Sequence, residues 1–215
     1  IPVICEREDP RDALVSTHFG DLRELPAGAV VGTCSLRRQA LLRHRFPELT
    51  VENLRGNVNR RLQRLDDGDF DAIILAAAGL LRLQMAGRIR QSICTGIMLP
   101  AVGQGAVGVQ CRADDAKTTV LLAPLDHVPT HTRVRAERAA NAHLGGGCHV
   151  PIGAFAEIKE GQLHLRGLVG RPDGSEVLFA SAEGSASDAK AVGHALADDL
   201  LGQGAGAILQ EFADA

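Results

Sequence analysis

The sequence predicts an α/β domain built on a mostly parallel sheet, followed by a smaller, separate α+β unit. Three observations carry that prediction. Strand-like and helix-like runs alternate between residues 29 and 76, hairpin signals are concentrated beyond residue 150, and 45% of the 215 residues are hydrophobic. That is enough for one large or two medium domains with real cores.

The elements follow in order. Ile1–Cys5 reads as a short strand, and Asp9-Pro10 as a turn. Ala29–Thr33 is an apolar strand, after which Ser35 caps a helix running to about Arg45, where Pro47 stops it. Leu49–Asn53 is the next strand, and Gly56-Asn57 leads into a helix from Val58 to Leu65 whose apolar members Val58, Leu62 and Leu65 recur at helical spacing. A turn at 66–69 precedes the buried strand Asp71–Ala76. This βαβαβ rhythm is what predicts parallel pairing. Val107–Arg112 returns as a strand, a short helix covers 115–122, and Asp126–Thr130 is the linker candidate. A helix then runs from Thr130 to Leu144. Val150–Ile158, Gln162–Gly170 and Glu176–Ala180 read as antiparallel strands joined by Lys159-Glu160-Gly161 and Pro172-Asp173-Gly174. Helices near 188–201 and 204–212 close the chain.

Composition excludes several classes of function. No run of about 18 apolar residues is available to span a bilayer. The chain has six Phe and neither Tyr nor Trp, and its formal charge is −3, so neither a stacking platform for single strands nor a duplex-DNA surface is expected. Five cysteines (5, 34, 94, 111 and 148) form no CxxC pair and read as reduced thiols of a cytosol-like compartment. Gly103–Gly108 matches GxGxxG but leads into strand rather than helix, so it reads as a flexible crossing between domains and not a nucleotide site. Asp67, Asp69 and Asp71 begin a calcium loop that Ala72 and Ala78 fail to complete. His127 and His131 have Pro129 between them and no third ligand nearby. The acids Asp9, Asp12, Asp66 and Asp67 read as turn residues.

Two features carry chemistry. Between Arg37 and Arg64 stand eight arginines against two acids, while the whole chain has three lysines. Arginine suits bidentate recognition of carboxylates, though a solvated helix face accounts for a run of charge equally well. The second feature is Leu144-Gly145-Gly146-Gly147-Cys148-His149-Val150-Pro151. Its glycines serve either as a helix C-cap beside a half-buried Cys148 or as cleared space around a nucleophilic sulfur. His149 points to the opposite face of an extended chain and reads as a bystander.

At these residues a family resemblance emerges. Gly32–Gln39 (GTCSLRRQ), Leu54–Leu62 (LRGNVNRRL), Asp71–Leu80 (DAIILAAAGL), Leu99–Gly108 (LPAVGQGAVG), Ala136-Glu137-Arg138 and Gly146–Pro151 (GGCHVP) resemble, in family order, the motifs of porphobilinogen deaminase (hydroxymethylbilane synthase). Cys5–Val15 (CEREDPRDALV) fits as well. The resemblance implies a three-domain protein whose first two domains look like periplasmic binding proteins. On that scheme residues 1–5 and 106–123 belong to the first domain, 6–105 to the second, arginine-rich domain, and 124–215 to the third.

It further implies a cytoplasmic, monomeric transferase of tetrapyrrole biosynthesis that joins four porphobilinogen molecules head to tail, releases ammonia, and is primed by a dipyrromethane attached covalently through a thioether to Cys148. Each unit carries an acetate and a propionate. By carry-over Thr33, Ser35, Arg37, Arg38, Arg55, Gly56 and Arg61 bind the cofactor, and Arg82 and Gln104 the growing oligopyrrole. Arg43, Arg45, Arg60 and Arg64 keep the solvated-face reading. The family's catalytic aspartate belongs to a His-Ser-Met-Lys-Asp-like motif that is absent here. The expectation is therefore a chain lacking the first part of domain 1, inactive alone and pairing with the missing segment. Position 34 is Cys where the family more often has Ser. A carboxylate-binding module without chemistry and a thiol enzyme using Cys148 with a histidine base remain alternatives.

Overall fold

The computed structural model describes residues 3–147 and 149–212, so Cys148 lies outside the described residues. The chain begins with β1 (Val3–Ile4), β2 (Asp12–Val15) and β3 (Val30–Gly32), followed by α1 (Leu36–Arg45) and β4 (Thr50–Glu52). Then come α2 (Val58–Asp66), β5 (Ala72–Ala76), α3 (Ala77–Arg82), β6 (Gln91–Ser92), β7 (Gly108–Val109) and α4 (Ala116–Leu122). The remainder is α5 (Val128–His143), β8 (Ile152–Lys159), β9 (Gln162–Gly170), β10 (Val177–Ser185), α6 (Ala189–Gly202) and α7 (Ala205–Gln210).

Five strands form one mixed sheet in the order β4-β3-β5-β2-β6. β3 runs parallel to β4 and β5, as the βαβαβ rhythm predicts, but β2 pairs antiparallel with both β5 and β6. The sheet is thus half antiparallel rather than mostly parallel. The difference comes from Asp12–Val15, four fully buried residues directly after a turn. They are too short and too uniformly buried to show strand alternation in the sequence.

Period two within the sheet sorts its side chains to two faces. Leu14, Val31, Ala72 and Ile74 pack with Leu41 and Leu42 of α1 on one side. Ala13, Val15, Ile73 and Leu75 pack with Leu62 and Leu65 of α2 and Leu80 of α3 on the other.

The C-terminal unit is the three-stranded antiparallel sheet β10-β9-β8. Ala154, Ala156, Leu163 and Leu165 face α5 and α6. Phe155 and Leu168 turn the other way and join the core beneath α1. α1 therefore lies between the two sheets, and its orientation fixes how they meet. Arg43 donates from Nη2 to the Val51 carbonyl at 2.6 Å and from Nη1 to the Pro172 carbonyl at 2.7 Å, which removes it from the solvated face expected for it.

Two further expectations are corrected. The linker candidate 126–130 is instead the start of α5, with Pro129 in the first turn, where a missing N–H costs nothing. Asp126 is fixed there, accepting from the Ile4 N–H at 2.8 Å and contacting His131 Nδ1 at 2.8 Å. The glycine-rich crossing at 103–108 is pinned rather than flexible. Gly103 N–H donates to Glu137 at 2.7 Å, Arg7 Nε donates to the Gln104 carbonyl at 2.8 Å, and Glu8 N–H donates to the Gly105 carbonyl at 2.9 Å. Gly105 has φ +83°, and a Cβ there would stand 2.6 Å from the Glu8 carbonyl oxygen. Only glycine passes at this point. Among the described residues no helix is long and apolar enough to cross a membrane.

Candidate functional site

A cleft of about 740 Å3 opens where the N-terminus of α1, the segment 101–104, α5 and the glycine loop after α5 converge. Cys34, Ser35, Arg37, Arg38 and Arg61 line one wall, and Gln104, Arg138, Asn141, Gly146 and Gly147 the other. Ser35 is the N-cap of α1, yet its side chain makes no capping bond, so the first turn presents backbone N–H groups without an internal acceptor. Such a helix start favours anions.

Beneath the cleft lies a buried charge cluster. Arg37 and Arg38 both turn inward from the first turn of α1 onto Asp12 of β2. Asp12 is 0% exposed, and the two arginines are 3% and 8% exposed. Arg37 donates from Nη1 and Nη2 to the carboxylate at 2.8 and 3.3 Å, and Arg38 from Nε and Nη2 at 2.9 and 2.6 Å. Gln104 Nε2 adds a fifth bond at 3.0 Å. Burial alone disfavours the Asp12 carboxylate, but the two guanidiniums more than offset it and hold its pKa below the ordinary carboxylate range. Burial pushes the Arg37 pKa down from its usual height, yet a guanidinium stays protonated at neutral pH. The cluster carries one net positive charge, and Arg37 Nε–H is buried with no partner among the described residues. A buried donor left unpaired costs free energy, and a ligand acceptor at the cleft would remove that cost.

A family model described as "Porphobilinogen deaminase, dipyromethane cofactor binding domain" matches residues 1–120, and one described as "Porphobilinogen deaminase, C-terminal domain" matches residues 131–202. The chain belongs to the porphobilinogen deaminase family. Its cofactor is dipyrromethane, and the family consists of transferases of tetrapyrrole synthesis that bind porphobilinogen and oligopyrroles.

The cleft fits such a cofactor. A group bearing acetates and propionates needs several cationic partners and room for pyrrole rings. Four guanidiniums (Arg37, Arg38, Arg61 and Arg138) stand against the single Asp12 carboxylate, and no carboxylate lines the cleft among the described residues. Arg37 lines the cleft, and its buried Nε–H has no partner among the described residues.

The structure separates the residues that the family resemblance groups together. Ser35, Arg37, Arg38, Arg61 and Gln104 do converge on the cleft. Arg37 and Arg38, however, spend most of their donors on Asp12, the Leu99 carbonyl and the Ile74 carbonyl, so they are not free bidentate forks. Thr33 is 1% exposed and accepts from the Ser35 N–H at 3.3 Å, which braces the turn before α1 without lining the cleft. Arg55 and Gly56 line a separate basic hollow of about 480 Å3 with Asn53, Arg60 and Arg64. Gly56 reaches the cleft indirectly, because its carbonyl accepts from Arg61 Nε at 2.7 Å and so aims that guanidinium. Arg82 is exposed at the end of α3 and lines no cavity described here. The half-buried Cys34 lines the cleft rather than the core. Cys148 lies outside the described residues, although Gly146, Gly147 and Val150 on either side of it line the cleft.

Sequence reasoning gave no site role to Asp12 or Asn141, nor to Glu137 and Arg138 beyond their place in a family motif. Asp12 reads as part of a turn but is a strand residue and the counter-ion of the arginine pair. Glu137 is 0% exposed and accepts from Arg7 Nη1 at 2.6 Å, from Gly103 N–H at 2.7 Å and from Ala156 N–H at 2.9 Å, tying the crossing to β8. Its sequence signal was available. Thr130, Val134 and Glu137 recur at helical spacing on one buried face of α5, so the carboxylate falls where an apolar residue is expected.

Proposed function

We propose that this chain binds dipyrromethane covalently through a thioether at Cys148 and holds an oligopyrrole growing by head-to-tail condensation of four porphobilinogen units to hydroxymethylbilane, with loss of ammonia. The observation that carries the reading is the cleft itself: the chain flanking position 148 faces four guanidiniums, one of which has a buried N–H with no partner among the described residues. When bound, the dipyrromethane would supply the free α-carbon to which the first unit is joined, each later unit joining the terminal pyrrole of the growing chain.

The protein's own residues then have distinct tasks. Arg61 and Arg138 present guanidinium forks at the cleft wall, suited to bidentate binding of carboxylates. Arg37, its buried Nε–H unpartnered among the described residues, adds positive charge at the cleft. Asp12 neutralises part of the arginine charge and stays ionised, so it holds no proton to donate to a leaving amine. Asp12 lies beneath the cleft and the described residues of its wall include no carboxylate, which supports reading the chain alone as a binder that does not turn porphobilinogen over. We assign residues 6–105 to a periplasmic-binding-protein-like second domain, 124–215 to the third, and 1–5 with 106–123 to the first. The mixed five-stranded sheet and the separate β8–β10 sheet support that division.

Denaturing intact mass with peptide mapping across position 148 tests the attachment. The expected result is added mass equal to two substituted pyrroles on that peptide, lost in Cys148→Ala and kept in Cys34→Ser. Retention of the pyrroles in the alanine variant would refute the assignment.

A further inference from the structure

A second cavity, of about 380 Å3, lies at the other end of α1, between that helix, the segment 95–99 and the outer part of the β9–β10 sheet. Its floor is apolar: Leu41 and Leu99 are buried core residues at 1% and 5% exposure. One wall is Phe179, a residue 41% exposed. Two cations face this space from opposite sides, Arg45 from the last turn of α1 and Arg166 from β9. Arg45 stacks over the Phe179 ring, 5.8 Å from its centroid, and pairs with no carboxylate among the described residues. Arg166 donates to Thr95 Oγ1 at 2.8 Å and reaches Glu157 only at 3.4 Å. Asp199, the one acid among the described residues of the rim, accepts from Gln203 at 3.1 Å.

An apolar floor, an exposed aromatic wall and two incompletely paired guanidiniums against one acid define the ligand. We propose that this cavity is a binding site for a flat, apolar monocarboxylate, with its ring against Phe179 and its carboxylate between Arg45 and Arg166. The stacked arginine is pre-oriented for this, since the cation–π contact holds its guanidinium at the mouth. Because Arg45 belongs to the first unit and Arg166 to the C-terminal one, the ligand ties them together at the end of α1 remote from the carboxylate cleft. The inference stands whether or not the reading of that cleft holds.

Calorimetric titration of the full chain with naphthoate tests it, with naphthamide as the uncharged control. The expected result is saturable one-to-one binding of naphthoate and at least about tenfold weaker binding of naphthamide. Arg45→Ala should weaken naphthoate about tenfold, and Ser181→Trp, which fills the cavity, should abolish binding. Circular dichroism checks that the tryptophan variant folds, and the exposed Arg45 keeps the test decisive if it does not. Arg138→Ala, in the other cleft, should leave naphthoate affinity unchanged. No saturable binding, equal binding of the amide, or loss of affinity on Arg138→Ala in place of Arg45→Ala would overturn the proposal.

Discussion

Replacing Asp12 by Asn isolates the buried charge cluster beneath the cleft. The carboxylate accepts five hydrogen bonds, four of them from two guanidiniums, and is fully buried. Asparagine keeps the shape but removes the charge, so two adjacent buried cations face each other without a counter-ion. Breaking one partner of a buried pair costs about 3–5 kcal/mol. Here one carboxylate serves two cations, which places the expectation at the upper end. With a urea m-value of about 2 kcal/mol/M, 3–5 kcal/mol lowers the unfolding midpoint by about 1.5–2.5 M. Asp9→Asn is the matched control. Its pair with Arg11 is just as short at 2.6 Å, but the two side chains are 44% and 21% exposed, so about 1 kcal/mol or less is expected.

The same substitution has a signature in pH. The Asp12 pKa is depressed in the folded state, so its contribution to stability is fully present above the unfolded carboxylate value and is lost as pH falls through the folded one. Parent stability should therefore fall below about pH 4, and the Asp12→Asn curve should be flatter over that interval. Urea midpoints measured from acid to neutral pH read both effects. A midpoint for Asp12→Asn within about 0.3 M of the parent at neutral pH, or an equal cost for Asp9→Asn, would refute the reasoning.

Two further substitutions test the packing that carries the cleft. Glu137→Gln leaves Arg7, with 2% of its side chain exposed, without a counter-ion. It should cost about 3 kcal/mol or more, read as a lower urea midpoint with faster proteolysis at residues 103–106. Gly193→Ala places a Cβ against the Ala136 carbonyl and the Ala139 methyl where α6 crosses α5. Overpacking of about 1–3 kcal/mol should lower Tm by about 2–4 °C per kcal/mol. An unchanged melting temperature would mean the two helices are less closely apposed than described.

Local signals made much of the fold legible. Ser35 and Pro47 bracket α1, Asn57 caps α2 by accepting from the Arg60 N–H at 2.9 Å, and the two glycine turns join β8 to β9 and β9 to β10. What escaped was non-local. Asp12 lies 25 residues before Arg37, and only the insertion of β2 between β5 and β6 brings the two together. No window of sequence around Asp-Ala-Leu-Val reveals that neighbour. The family match supplies the cofactor class, but it cannot sort the arginines, because motif membership records residue type and not what each side chain touches.

That sorting changes how the arginine run between residues 37 and 64 should be understood. Arg37 and Arg38 are the cationic half of a core charge cluster, Arg43 staples α1 to β4 and to the β9–β10 turn, and Arg45 stands beside Phe179. Arg64 pairs with Asp69 at 2.7 Å over the Phe70 ring, leaving Arg61 as the member of α2 that reaches the cleft. A carboxylate ligand gains most from a guanidinium whose fork is unspent, and by that criterion Arg61 and Arg138 outrank the arginine pair that the motif makes most conspicuous. The Arg37–Arg38 pair acts chiefly from below. Four bonds to Asp12 fix the first turn of α1, so the helix start arrives at the cleft already oriented, and less ordering is left for the ligand to impose.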